Sequence, residues 1–263
     1  MKRRKTIKRD DVDFFWEHGY LRVSALFSPP EVQELRKELD WVIDAWATRS
    51  KGWSGPWREA LLGSEADKVE LIVLADPHFY SAALMRALTD PAVVDAAAEL
   101  LASEAVEFHQ STLLVKPPET GQPFPTHQDE AYYPHETMRY VEALIHLDDT
   151  NAQNGELRFL DGSHRLGPLP HITETAEGPC QPHLPVDQYR LEDTTAVPAK
   201  AGDVVFMSNR TVHGSCLNTS SDVRRMLRAG YRDPANRQLG GPQTLGRPGL
   251  IVRGRRPEGA KFF

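Results

Sequence analysis

Val32, Leu35, Leu39, Val42, Ile43 and Trp46 recur at helical steps with polar residues between them. That period predicts a helix burying one face. It opens at Ser28-Pro29-Pro30, a serine cap followed by prolines where a missing N–H costs little. A shorter amphipathic run, DDVDFFWEHG (10–19), stops at Gly19, and residues 20–23 read as a strand. The alanine-rich stretch 91–102 predicts a third helix. From residue 106 the period changes. Residues 106–115, 141–147, 156–160, 203–207 and 226–231 are short apolar runs bounded by Pro, Gly, Asn and Asp, the pattern of antiparallel strands joined by turns. Helices leading into many short strands predict a mainly β sandwich or jelly roll buttressed by N-terminal helices.

Length and composition narrow the class. At 263 residues the chain is expected to form one domain, 1–263, behind a flexible basic tail at 1–9. Hydrophobic content is 40% and charged content 26%, and no apolar run approaches the ~20 residues that span a bilayer. No membrane association is expected. The N-terminus, MKRRKTIKRDD, has no apolar core behind its charges and so is not a secretory signal, which points to the cytoplasm. Cys180 and Cys216 stand far apart, which gives neither a disulfide framework nor a zinc knuckle. The net charge of −6 argues against nucleic acid as a partner.

The chemistry-bearing stretch is THQDEAYY (126–133), with His127 and Asp129 two residues apart. On a strand, i and i+2 share a face, so both side chains can reach one point. A second such pair, His146 and Asp148, shows that the spacing alone is weak. Company separates them. In GDVVFMSNRTVHGS (202–215) a Gly-Asp turn feeds an apolar strand, His213 follows it, and Arg224 comes eleven residues later. Two histidines and one carboxylate make the facial triad of non-haem Fe(II) oxygenases, which leaves three coordination positions open. An arginine fork suits the far carboxylate of a 2-oxoacid. Singly, His213 reads as a loop histidine and Arg224 as a surface ion pair; the combination favours the metal site.

Four stretches together resemble the phytanoyl-CoA dioxygenase family of Fe(II)/2-oxoglutarate oxygenases: HQSTLLVKPPETG (109–121), THQDEAYYP (126–134), NGELRFLDGSHRLG (154–167) and GDVVFMSNRTVHGSCLNTSSDVRR (202–225). The resemblance runs from about residue 10 to 235. It implies a double-stranded β-helix, the jelly roll itself, with its metal-binding core at 106–235. It also implies Fe(II) on His127, Asp129 and His213, the far carboxylate of 2-oxoglutarate on Arg224 with Ser215 beside it, and Thr112 and Gln110 lining the co-substrate. Dioxygen would be consumed and succinate and CO2 released, with hydroxylation of an unactivated C–H as the default outcome. Asp129 stands where halogenases of this scaffold have a small residue. One departure is Leu144, where the phytanoyl-CoA enzyme has a tryptophan. The alternatives are a cupin-type metalloenzyme that does not use 2-oxoglutarate and a non-catalytic ligand-binding jelly roll.

Other positions carry weaker expectations. Tyr132, Tyr133 and Arg139 follow the ligand segment and either face the substrate or are half-buried strand residues. KGWSGPWR (51–58), with Trp53, reads as a substrate lid or a packed turn, and the arginine-rich stretch 247–256 as a second lid or a disordered end. Their cationic side chains lean towards an anionic small-molecule substrate. His146 and His164 are expected to be structural, and Asn218-Thr219-Ser220 a capped turn.

Overall fold

The computed structural model describes residues 7–243 and 248–260. Most of the expected basic tail, residues 1–6, lies outside them, and helix α1 (Arg9–His18) already begins at Arg9. Gly19 ends α1 with φ 89°, its N–H donating to the Phe15 carbonyl, and a Cβ there would come within 2.5 Å of His164 Nδ1. Only glycine fits this turn. Strand β1 (Tyr20–Val23) follows, then α2 (Pro29–Trp46), where the Glu31 carboxylate accepts from the Ser28 N–H at 2.8 Å. The serine opens the helix as the sequence predicts, and this bond is one arm of a capping box.

Next come β2 (Thr48–Ser50), α3 (Trp57–Leu62), β3 (Leu71–Ala75), α4 (Ala82–Leu88) and α5 (Pro91–Leu101). The strands of the core are β4 (Val106–Lys116), β5 (Phe124–His127), β6 (Tyr140–His146), β7 (Leu157–Phe159), β8 (Ile172–Thr175), β9 (Gly178–His183), β10 (Thr195–Val197), β11 (Val204–Ser208), β12 (His213–Ser215), β13 (Arg224–Arg232) and β14 (Leu250–Arg253).

These strands form two main sheets. The larger runs β1-β11-β6-β13-β4-β3-β2, with β14 also on the outer edge of β4; the smaller runs β10-β7-β12-β5. All named strand pairs are antiparallel, and the fold is a jelly roll with helices on one face. The period of two decides which side chain serves which layer. From the large sheet, Leu113, Ala143, Ile145, Phe206, Leu227 and Ala229 point outward into one buried cluster with the apolar faces of α2 and α5. Their neighbours Leu144, Val205, Met207 and Met226 point inward and meet Leu157 and Phe159 of the small sheet. Alanines along α5 let it pack close against the sheet. Each fully buried leucine or phenylalanine in these layers contributes roughly 1.5–3 kcal/mol.

Most of the arginine-rich end is held down. Strand β14 pairs with residues 106–108 of β4, Arg253 Nη1 reaches Asp95, and Arg256 Nη1 reaches Glu107. Among the described residues this segment lines no part of the cavity between the two sheets, so the expected second lid is a sheet edge; Arg247 lies outside the described residues. Asn218 is buried, its amide donating to the carbonyls of Lys116, Pro117 and Asp222, as a turn cap does. Among the described residues no helix is long and apolar enough to cross a membrane.

Candidate functional site

His127 closes β5 and His213 opens β12, and the two are register partners across the small sheet with ring centroids 4.2 Å apart. Opposed residues of an antiparallel pair project to the same side. Asp129 is not on the strand: Gln128 keeps an extended backbone (φ −111°, ψ 134°), and Asp129 begins the 3-10 turn after it. The extended residue preserves the i, i+2 relation. Asp129 Oδ1 lies 3.5 Å from His127 Nε2 and 4.0 Å from His213 Nε2, and one ligand atom from each of the three lies within 4.8 Å of the others. All three are buried.

Both imidazoles are held by backbone. Nδ1 of His127 meets the Pro125 carbonyl at 2.8 Å and Nδ1 of His213 the Thr211 carbonyl at 3.0 Å. A carbonyl only accepts, so each Nδ1 carries the proton and each Nε2 lone pair is turned into the cluster, as a metal ligand requires. Burial and the neighbouring His127 push the His213 pKa down to about 4, which keeps its ring neutral at physiological pH. The turn itself is fixed from outside: Arg210 forks onto Glu130, and the Gln128 side chain bridges the Gly167, Leu169 and Arg210 backbones.

A cavity of about 270 Å³ opens from this cluster between the sheets. At its inner end stands Arg224, 1% exposed. Its Nη2 donates to the Gly155 carbonyl at 3.1 Å, while Nε and Nη1 have no partner, and neither does the buried hydroxyl of Ser215. Burial lowers the Arg224 pKa to about 10, so the guanidinium remains charged. Asp148 does not neutralise it by contact, being held by Arg225 and Arg36. Nearby Lys116 is buried and its pKa is driven far down, by desolvation first and Arg224 second. A buried fork with two free donors beside a free hydroxyl fits a carboxylate.

The other anticipated residues divide. Thr112 lines the cavity; Gln110, one pleat further along the inner face of β4, is carried past it and turns to Tyr140. Leu144 lines the cavity. Trp53 stands over His127, ring centroids 4.8 Å apart, touching Phe124 and Tyr132 as well, and Tyr132 also lines the cavity. Tyr133 lies behind it, its hydroxyl donating to Glu142. Arg139 is a correction: its side chain is half exposed, pairs with Asp233 and lines no part of the cavity. The other cations behind the anionic-substrate expectation are engaged too. Arg58 donates to the Lys51, Trp53 and Ala66 carbonyls, and Lys51 pairs with Asp67. His146 stands on the inner face of β6 outside the metal cluster, with neither ring nitrogen bonded, and His164 ties to the Trp16 carbonyl.

Sequence reasoning gave Arg228 no part. It lines the cavity and donates to Asp129 Oδ2 at 2.8 Å. Arginines at 224, 228 and 232 share one face of β13, and that even spacing was the available signal. Gln181 and Gln243, which also line the cavity, had none.

Comparison with known proteins decides the class. The family model for phytanoyl-CoA dioxygenase matches residues 15–226. The chain belongs to the phytanoyl-CoA dioxygenase family. It is similar to an ectoine dioxygenase of Bordetella bronchiseptica, 30% identical over 81% of this chain and 71% of that one. It is also similar to a probable alpha-ketoglutarate-dependent hypophosphite dioxygenase of Stutzerimonas stutzeri, 29% identical over 82% and 76%. Among solved structures, the non-haem alpha-ketoglutarate-dependent carbocyclase SnoK of nogalamycin biosynthesis superposes with a TM-score of 0.74 at 26% identity, covering 95% of this chain and 94% of that one. Like its family, the protein is an Fe(II)- and 2-oxoglutarate-dependent dioxygenase, with a His-Asp-His cluster to match.

Proposed function

We propose that the protein hydroxylates an unactivated C–H of a small, uncharged polar molecule, with Fe(II) on His127, Asp129 and His213 and 2-oxoglutarate anchored by Arg224 and Ser215. One observation carries the reading: a three-ligand cluster and an unpaired buried guanidinium share a single cavity. A cupin-type metalloenzyme or an inert binding module would leave that charge buried without a counter-ion, a cost of several kcal/mol with no return.

The bound iron supplies the redox chemistry that couples decarboxylation of 2-oxoglutarate to succinate and CO2 with oxidation of the substrate by dioxygen. The chain's own residues do the rest. Arg224 and Ser215 orient the co-substrate from its far end, and Leu114, Leu144, Leu157 and Met226 give it a water-poor bed. The backbone-held histidines present their lone pairs without reorganisation. Trp53 closes the cavity over His127, and its loop is seated by Arg58 and by the contact of Ser54 with Gln181.

The uncharged substrate follows from the outer half of the cavity, where Ser50, Trp53, Tyr132, Gln181 and Gln243 are aromatic or neutral and polar. Its only lining cations among the described residues are Arg224, assigned to the co-substrate, and Arg228, paired with Asp129. Anaerobic titration with Fe(II) and then 2-oxoglutarate tests the core of the reading. One iron per chain and a weak visible charge-transfer band are expected, and iron binding without the band sinks the co-substrate assignment. Succinate release across size-matched uncharged and carboxylate- or phosphonate-bearing molecules tests the rest, with faster coupled turnover expected for the uncharged set.

A further inference from the structure

The two oxygens of Asp129 face different partners. Oδ1 is the one near both His Nε2 atoms, while Oδ2 accepts from Arg228 Nη1 at 2.8 Å. The guanidinium is itself located from three sides. Nη1 also reaches the Tyr133 hydroxyl at 3.1 Å, Nη2 donates to Thr112 Oγ1 at 3.2 Å, and its carbon sits 5.9 Å from the Tyr133 ring centroid. Tyr133 is fixed in turn by donating to Glu142 at 2.6 Å. Only 12% of the Arg228 side-chain surface is exposed, so the pair is largely dry and its charge-assisted bond strong.

A carboxylate can bind a metal through one oxygen or both. Two-oxygen binding here would turn Oδ2 towards the same centre as Oδ1, which strains or breaks its bond to Arg228. On a six-position metal that change matters: three protein atoms leave three places, two for a 2-oxoglutarate chelate and one for dioxygen. A fourth protein atom removes the last. Resting on the reading of Asp129 as an iron ligand, we infer that Arg228 is a positioning residue that holds Asp129 to one-oxygen ligation and so keeps the dioxygen position open.

The test is an anaerobic titration of the full chain carrying Arg228→Met, which keeps length and removes the donors, alongside Arg228→Lys and Thr112→Val. Arg228→Met should bind Fe(II) at least as tightly as the unaltered protein, because the carboxylate gains a second bond and a competing cation is gone. With 2-oxoglutarate bound, its uptake of nitric oxide, a stand-in for dioxygen, should fall at least tenfold, with the charge-transfer band shifted. Arg228→Lys, keeping one donor, should largely restore both. Thr112→Val, which frees one arm of the fork, should shift the band the same way by less. A merely structural role would lower the melting temperature without moving the band. An unchanged band and unchanged nitric oxide uptake in Arg228→Met overturns the inference, even if substrate KM rises, and so does loss of iron binding. If Arg228→Met does not fold, bands matching the unaltered protein in both other variants overturn it. Failure of the unaltered protein to give the band at all would instead count against the co-substrate reading.

Discussion

The two ends of the cavity are built on opposite principles. At the metal end the groups that position the ligand atoms are already partnered: both His Nδ1 atoms sit on carbonyls, and Asp129 is neutralised by Arg228. At the inner end the partners are missing: two donors of Arg224 and the hydroxyl of Ser215 are buried and unbonded. The first end is preorganised and costs the empty protein little. The second stores an unfavourable burial that a carboxylate would relieve, and on the proposed reading that desolvation cost becomes affinity for a dianionic co-substrate.

The contrast breaks most completely at Asp129. Asp129→Gly removes a ligand and also leaves Arg228 buried without its counter-ion. Turnover should vanish, iron should bind more weakly, and the metal-free protein should lose about 3–5 kcal/mol of stability in a denaturant melt. Undiminished hydroxylation would remove Asp129 from the metal site. Arg224 should behave in the reverse way. Arg224→Ala weakens co-substrate affinity by roughly 2–5 kcal/mol, or about 30- to several-thousand-fold, with iron affinity intact. Arg224→Met should leave the metal-free protein as stable or more so, because an unpaired buried charge is gone. Normal 2-oxoglutarate KM in either would place the anchor elsewhere.

Smaller effects sharpen the picture. Ser215→Ala removes one neutral donor to a charged group, worth about 1.5 kcal/mol, so the 2-oxoglutarate KM should rise roughly tenfold with kcat little changed. His146→Leu should alter least at neutral pH, with iron stoichiometry still near one. Its effect lies in acid. Burial, aided by Arg224, lowers the His146 pKa to about 3, so the folded ring stays neutral while the unfolded one, with a pKa near 6.5, takes a proton. Stability is therefore lost as pH falls from about 6.5 towards 3, by at most about 1.4 kcal/mol per pH unit for this ring. The leucine variant should show a shallower acid limb in pH-dependent melts, and an unchanged limb would show that other groups carry it.

Legibility followed the range of the signal. The helices at 9–18, 29–46 and 91–101 and the long strands at 106–116, 140–146, 204–208 and 224–232 were readable because period and capping are local. Strands β5 and β12, which carry the histidines, were not readable as strands: four and three residues of Phe, Pro, Thr, His, Gly and Ser have no alternation to find. They exist as strands through pairing with each other, with β12 also paired to β7.

For this protein, sequence by itself determined the ligand chemistry. His127, Asp129, His213 and Arg224 offer by residue type and order the lone pairs and charge that suit a metal and a carboxylate, since these belong to the side chain wherever it lies. Tertiary structure alone decided how those groups are partnered. The bond between Arg228 and Asp129 joins residues 99 apart in the chain, and the place of Trp53 over His127 depends on a loop seated by Gln181 and, through Arg58, by Ala66. Such contacts leave no local periodicity, because they arise only when the two sheets close and water leaves the space between them.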